Sequence, residues 1–394
     1  MDLIKPQLGD DEIFLNIPKP FLILCGLWDE NLFQSARKQI VYHYYILILQ
    51  SLYLSWFLLM LVDFILAVRN DEWTSSSGAI IITYCEMMTK FIIFRRNKVP
   101  QFFGHVKHYE QKIKSLNNSR IIKSYKEQAS ISNKINCCSI IITIIVTSSF
   151  VIGGIIDDIE SKKFGKDENY RPYKKMYPIW LPFNVRDMEP LILVINLLIA
   201  ASGVALYNSI LMTLVTMSEF LAAQLKVLRI KFSDMTTNRS NRNMNQYLKE
   251  LIVEHKYIIR LTKAFSHSVR YITLMEYLLN SIAVAAVAIQ LLSLKNHEDY
   301  MYLASFACTL YIHIFSLGWS ANEVKVQSVN VADGINEMDW YDEDADFKRM
   351  IHMVMLRAQE PLIIEMGPFA AMTIDSALMS MKAAYSYLMV MKSF

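Results

Sequence analysis

The sequence has little of what staples a small secreted fold or holds a metal. Five cysteines are spread over 394 residues, and Cys25, Cys85, Cys137, Cys138 and Cys308 lie mostly inside or beside apolar runs with no paired spacing in any connecting segment. That excludes a disulfide framework and a cysteine metal site. Charge of one sign is scarce too: 40 basic and 37 acidic residues leave a net +3, too little to argue for nucleic acid. No cleavable signal peptide is read at the start. The first apolar segment follows Arg37 and Lys38, is too long and lacks a small-residue cleavage site, so it is expected to stay in the chain. No internal repeat of the transporter kind is present, and Asp63, Glu86, Glu276 and Asp375 fall on separate apolar segments without metal-ligand spacing. The acidic stretch between Ala321 and Glu365 lacks the spacing and central glycine of a calcium loop. The expectation is a protein that is not an enzyme and carries neither metal nor cofactor.

What the sequence does have is long hydrophobic runs. Hydrophobic residues make up 53% of the chain, and the mean hydropathy is +0.24, more than a soluble surface usually permits. Segments free of Asp, Glu, Lys and Arg run from Gln39 to just before Asp63, and over Ile135–Ile156, Pro190–Ser218, Tyr277–Leu294 and Tyr300–Asn322. A hydrocarbon core about 30 Å thick needs roughly 20 apolar residues in helical form, so each is long enough or nearly so. Gly78–Phe94 is a sixth, interrupted by Glu86 and Lys90 at the i, i+4 spacing of an intrahelical ion pair. The seventh is Pro361–Phe394, where Asp375 and Lys382 stand two helical turns apart on a face that wants water or protein beside it.

The basic residues give these crossings a direction. Met1–Lys38 carries four Lys or Arg, Arg95–Lys134 ten and Glu219–Arg270 ten, whereas Arg69–Ser77 and Lys295–Asp299 carry one each and Asp157–Glu189 has seven basic residues balanced by seven acidic. The positive-inside rule therefore predicts a cytosolic N terminus and, after seven crossings, an extracellular C terminus. That is the reverse of a G-protein-coupled receptor, whose Asp/Glu-Arg-Tyr and Asn-Pro-x-x-Tyr patterns are also missing. The expected domains are a cytosolic segment 1–38, a transmembrane body 39–320 with cytosolic helical extensions over 219–270, a cytosolic helix region 321–360 and a last helix 361–394.

Helical periodicity continues past the apolar runs. Leu221, Leu225, Leu228 and Phe232 form one stripe, and Met244, Leu248, Leu251, His255, Ile258, Thr262, Phe265 and Val269 another, so these helices are expected to protrude and pack together. His255 is read as a core histidine. A polar, Asn-rich link over Thr236–Asn245 joins the two, and Pro361–Pro368 separates a short helix ending near Gln359 from the last crossing. On that last helix Asp375, Met379, Lys382 or Ala383, Ser386, Val390 and Phe394 recur at three and four. Spacing alone leaves two readings open, a stripe facing a central axis or a stripe packed within the subunit.

Specific residues in the last third of the chain resemble the insect odorant receptor family. They are Trp340-Tyr341, the basic, Met-rich helix to Arg357, Gln359-Glu360-Pro361-Leu362, Gly367-Pro368-Phe369, Met372-Thr373 and Lys382-Ala383-Ala384-Tyr385-Ser386-Tyr387, with Leu251, His255 and Ile259 upstream. Glu365-Met366 and Ala384 depart from the pattern. The ending Ser386–Phe394 also resembles gustatory receptors, with Ser393 in place of a Gln, so a tastant-gated receptor is the near alternative and a multi-pass transporter the distant one. The resemblance implies an all-α odorant-gated, non-selective cation channel: four seven-helix subunits round a pore, held mainly by cytosolic helices forming an anchor domain, in the plasma membrane of olfactory neuron dendrites. It also implies assembly with a shared co-receptor, and the modest 236–245 link and Lys382 make this chain look like the tuning partner. The implied partners are that co-receptor, a small volatile ligand, lipid and permeating cations, with no nucleic acid. The implied ligand site draws on Tyr84, Met87, Met88, Ser149, Phe150, Gly154, Ile199, Ser202, Phe306, Thr309, Leu310 and His313; the implied pore and gate on Ala383, Ser386, Val390 and Phe394. A ring of Val390 would gate by dewetting, since a narrow apolar constriction expels water.

Overall fold

The computed structural model describes residues 13–29, 33, 35–69, 75–116, 118–163, 177, 179–180, 188–235, 244–293 and 297–392. These form an all-helical body with one small hairpin. In chain order the helices are α1 (Pro18–Leu24), α2 (Ala36–Arg69), α3 (Ser75–Arg96), α4 (Phe102–Ser115), α5 (Ser119–Lys163), α6 (Glu189–Ser233), α7 (Met244–Ser293), α8 (His297–Asn336), α9 (Ala345–Ala358) and α10 (Ile374–Lys392). The strands β1 (Glu365–Met366) and β2 (Ala370–Ala371) lie between α9 and α10.

Local signals explain several boundaries. Asn118 caps α5, its Oδ1 accepting from the Arg120 and Ile121 N–H groups at 3.0 and 3.4 Å. Asp344 caps α9 by accepting from Phe347 N–H at 2.8 Å. Among the described residues three helices, α2, the Ser119–Ile156 part of α5, and α6, are long and apolar enough to cross a membrane. Their outward faces carry exposed Ile48, Leu54 and Leu58 on α2, Ile141, Ile144 and Ile152 on α5, and Leu191, Val194 and Leu198 on α6. Apolar surface on that scale needs lipid or a partner to cover it.

Helix α6 is the axle. From Asn208 to Leu225 every residue is buried, the polar Asn208, Thr216, Glu219 and Gln224 included, because the helix is enclosed by α1, α3, α5, α7 and α8. The two stripes read from periodicity converge here: Leu221, Leu225, Leu228, Phe232, Leu248, Leu251, Ile258, Phe265 and Val269 all belong to one hydrophobic cluster. The link joining them, residues 236–243, lies outside the described residues.

The ends of α8 and α10 refine the bounds read in the sequence. Helix α8 runs unbroken through 320 to Asn336, because Leu317, Ala321, Val324, Ser328, Val331 and Ile335 continue one buried stripe. The last helix starts at Ile374, after the expected Pro361–Pro368 break and well inside the segment 361–394. Between them Glu365 pairs with Ala371 and Met366 with Ala370, antiparallel, round Gly367, whose φ of +59° suits glycine. Gly367 N–H donates to Arg270 O at 2.8 Å and Thr273 Oγ1 to Glu365 O at 3.0 Å, so the hairpin is tied to α7. In addition, residues Phe14, Leu15, Leu22, Leu27 and Trp28 of the expected cytosolic segment join the core. Phe14 meets Tyr125 and Phe220 edge-on at 5.1 and 5.9 Å, and the Glu110 carboxylate accepts from Ile13 and Phe14 N–H at 3.1 and 2.8 Å.

Candidate functional site

The residues expected round a small apolar ligand fall into two groups. In the first, Tyr84 and Met87 of α3 and Ile199 of α6 are buried, with Met88 half-buried against the same core. Met87 lies against Gly203, where a β-carbon would stand 3.6 Å from its Cε. The methionine's flexible thioether can take different shapes there. Phe150 of α5 meets Tyr177 edge-on at 5.7 Å, and Tyr177 N–H donates to Asn196 Oδ1 at 3.1 Å. Half-buried Ser202 gives its proton to Ile199 O at 2.9 Å. The Tyr84 hydroxyl is buried beside Ser202, yet no hydrogen bond of good geometry is completed to it among the described residues.

In the second group Phe306 and buried Leu310 of α8 pack with Val284 of α7 in a small cluster separate from the main core. Thr309 beside them is buried. Ser149 joins neither group. It is exposed and folds back to Ile145 O at 3.0 Å, the usual refuge of a serine on an apolar helix. Gly154 is half-buried one helical turn on.

His313 sits elsewhere in the chemistry. It is buried, with Nδ1 2.9 Å from Tyr207 Oη and Nε2 3.1 Å from Ser139 Oγ. Tyr207 donates its own proton to Glu276 Oε1 at 3.0 Å. Every atom is satisfied when a neutral imidazole donates through Nδ1 and accepts from Ser139 at Nε2. Its two nitrogens are thereby committed to neighbouring helices, and neither is left for a ligand.

The sequence reading missed the group that His313 belongs to. Lys90, 1% exposed, bridges the carboxylates of Glu86 on its own helix and Glu276 on α7. Glu276 also accepts from Asn280 Nδ2 at 3.0 Å, and the Lys90 ammonium lies 5.7 Å from the Tyr207 ring centre. Ser139 Oγ also stands 3.2 Å from Asn208 Oδ1 of α6, an alternative acceptor for the one hydroxyl proton that it gives to His313. Five helices, α3, α5, α6, α7 and α8, thus share one buried polar connection. The signal was present: an apolar helix holding a lysine needs an acid, and the i, i+4 Glu86 satisfied that need without recourse to Glu276.

Helix α10 is two-faced. Ala377 is buried, Ser380 Oγ lies 2.6 Å from Ser281 Oγ of α7, and a β-carbon on Gly318 of α8 would come within 2.8 Å of Thr373 O. On the other side Asp375, Met379, Lys382, Ala383 and Ser386 are exposed. The side chain of Val390, and Phe394 altogether, lie outside the described residues.

Past the apolar run Pro190–Ser218, Glu219 accepts from Gln128 Nε2 at 2.6 Å. Burial pushes its carboxyl up to about 7, the Gln128 bond pulling the other way. His255, buried on its stripe, is lowered to about 4 by burial and by nearby Arg357, so it is neutral at physiological pH. That is a core histidine.

Known proteins are similar to this chain in sequence or in fold. Odorant receptor 10 of Aedes albopictus is 27% identical over 205 residues, 51% of this chain and 55% of that receptor. Odorant receptor Or2 of Anopheles gambiae is 27% identical over 158 residues, 40% of this chain and 42% of its own. The chain thus spans about half the length of the curated relatives it matches. The structure of the insect olfactory receptor OR5 from Machilis hrabei in complex with eugenol superposes with a TM-score of 0.77, covering 95% of this chain and 96% of that one at 14% identity, which is a likeness of fold. The family model for the 7tm odorant receptor matches residues 74–385, from the start of α3 to well into α10. With the two-faced last helix, the β-hairpin before it and the α6 axle all inside that match, the chain belongs to the 7tm odorant receptor family.

Proposed function

We propose that this chain is the odorant-binding tuning subunit of a heteromeric, ligand-gated, non-selective cation channel in the plasma membrane of olfactory neuron dendrites. In this reading α2, α3, α5, α6, α7, α8 and α10 cross the membrane, with the N terminus cytosolic and the C terminus outside. The observation that carries it is α10. One face packs on α7 and α8, while the other exposes Asp375, Lys382 and Ser386, which lipid would penalise and a water-filled path would not. Four such faces round an axis line a pore, with Val390 as the apolar constriction.

The ligand enters among α3, α5 and α6. Tyr84, Met87, Ile199 and Phe150 supply apolar and aromatic contact, and the Tyr84 hydroxyl supplies a donor. Phe306, Thr309 and Leu310 form the α8 wall. The short link between α6 and α7 supports a tuning subunit that needs the shared co-receptor.

The test is whole-cell current from cells expressing this chain alone and with an insect odorant co-receptor, under a panel of volatile esters, alcohols, aldehydes and phenols. A fast cation current that requires both chains is expected. Phe306→Ala should reorder ligand preference, while substitution of Val390 should alter conduction for every ligand. Current from this chain alone would refute the tuning assignment.

A further inference from the structure

Helix α7 bears different partners on adjoining faces. Glu276 and Asn280 turn into the buried polar connection with Lys90 of α3, Tyr207 of α6 and, through Tyr207, His313 of α8. The residues next in sequence, about 100° further round the helix, turn elsewhere: Tyr277 Oη reaches Ile314 O of α8 at 3.5 Å, and Ser281 meets Ser380 of α10. One turn earlier Thr273 holds the hairpin that leads into α10. Every element assigned above to the ligand except α5 therefore meets α7 directly at the same place, α3 and α6 through Glu276 and α8 through Tyr277. Ser139 brings α5 in through His313.

A buried lysine between two carboxylates is a poor way to stabilise a bundle. Replacing such a group by well-packed apolar residues is often neutral or stabilising. Glu86 alone would already pair Lys90 within α3, so the contact to Glu276 adds a link between helices. Resting on the channel reading above, we propose that Lys90–Glu276 is the joint through which α3, α6 and α8 act on α7, and so on α10. Both are positioning residues: the ammonium is enclosed by two carboxylates, and neither side chain belongs to the ligand group or to the exposed face of α10. A change in the spacing of α3 and α7 on ligand binding is carried by this joint to Ser281 and the hairpin, the contacts that hold α10.

The test uses the chain with its co-receptor, two chemically unlike volatiles that both open the unmodified channel, and variants compared at matched surface density. Lys90→Met and Glu276→Gln should each raise the half-activating concentration by roughly tenfold, by one common factor for both volatiles, with the reversal potential unchanged. The exchanged double variant, Lys90→Glu with Glu276→Lys, keeps two carboxylates round one ammonium and should return to within about threefold, the non-additivity expected of a coupled pair. Unchanged half-activating concentrations would reduce the pair to a structural role. Unequal factors for the two volatiles would make Lys90 a ligand contact, and a double variant no better than the singles would remove the pairing; either result overturns the proposal. If the singles do not reach the surface, the uncharged triple variant Lys90→Met with Glu86→Gln and Glu276→Gln carries the test, a shifted response supporting the joint and an unshifted one overturning it. An unmodified pair silent to every volatile overturns the channel reading itself, and is seen before any variant is made.

Discussion

Glu219 and His255 are two buried titratable residues on the same end of the bundle with opposite consequences for stability. The folded carboxyl of Glu219 holds its proton to about 7 against an ordinary 4.5. Between those values the unfolded chain has already released it, so this residue's contribution falls as pH rises from 4.5 to 7. Glu219→Gln should therefore raise the melting temperature in detergent at pH 8, by an amount equivalent to at most about 3 kcal/mol, and leave it unchanged at pH 4; equal shifts at both pH values would refute the assignment. His255, held at about 4 against 6.5, has the reverse sign: its stability is complete above 6.5 and is lost as pH falls toward 4. Tyr84 carries a prediction about recognition. Among the described residues its hydroxyl has no partner of good geometry beyond neighbouring Ser202, so Tyr84→Phe should spare surface abundance while weakening the response to oxygen-bearing ligands by about tenfold relative to a hydrocarbon of similar shape. Equal losses for both ligand types would remove the hydroxyl from recognition. At this scale the sequence was legible for Tyr84, Met87 and Ile199, whose burial follows from apolar bulk on an apolar helix. It was not legible for His313, since a histidine's usefulness to a ligand depends on what already holds its two nitrogens.

Among the elements, α10 decides most about function. The three-and-four spacing of Asp375, Met379, Lys382, Ala383 and Ser386 was visible in the sequence, and the fold leaves that stripe exposed while burying Ala377. Cysteines placed at Ala383 and Ser386 should react from the aqueous side with a charged thiol reagent and reduce current, whereas one at Ala377 should stay inert; modification at Ala377 alone would reverse the helix face. The hairpin before α10 was only half legible. Gly367 and the two prolines announce a break, but two-residue strands carry no periodicity, and their hold on Arg270 and Thr273 depends on α7 lying alongside. The continuity of α8 across 320 was hidden for a related reason. A charge boundary marks where an apolar run stops, and a helix is free to continue beyond it when its buried stripe does.

For the whole molecule, the packing of 13–29 into the bundle changes the architecture most. Glu110, 2% exposed, holds the Ile13 and Phe14 amides, and Trp28 stacks on Phe103 with ring centres 5.2 Å apart. Glu110→Ala leaves two amides without their acceptor and should cost about 1–3 kcal/mol, read as faster proteolysis within 13–29 of the detergent-solubilised channel; unchanged cleavage would mean that this segment is held by its aromatic contacts alone. By itself the sequence determined an all-helical protein with too many long apolar runs for water, and the stripes on which α6 and α7 pack. Both follow from hydropathy and period, which are summed over neighbours along the chain. The tertiary structure alone decided that Lys90 meets Glu276, 186 positions away, that His313 belongs to Tyr207 and Ser139, and that Phe14 and its neighbours lie in the core. Those outcomes depend on how far each helix is rotated and how closely it approaches the next, and no local property of the sequence carries that information.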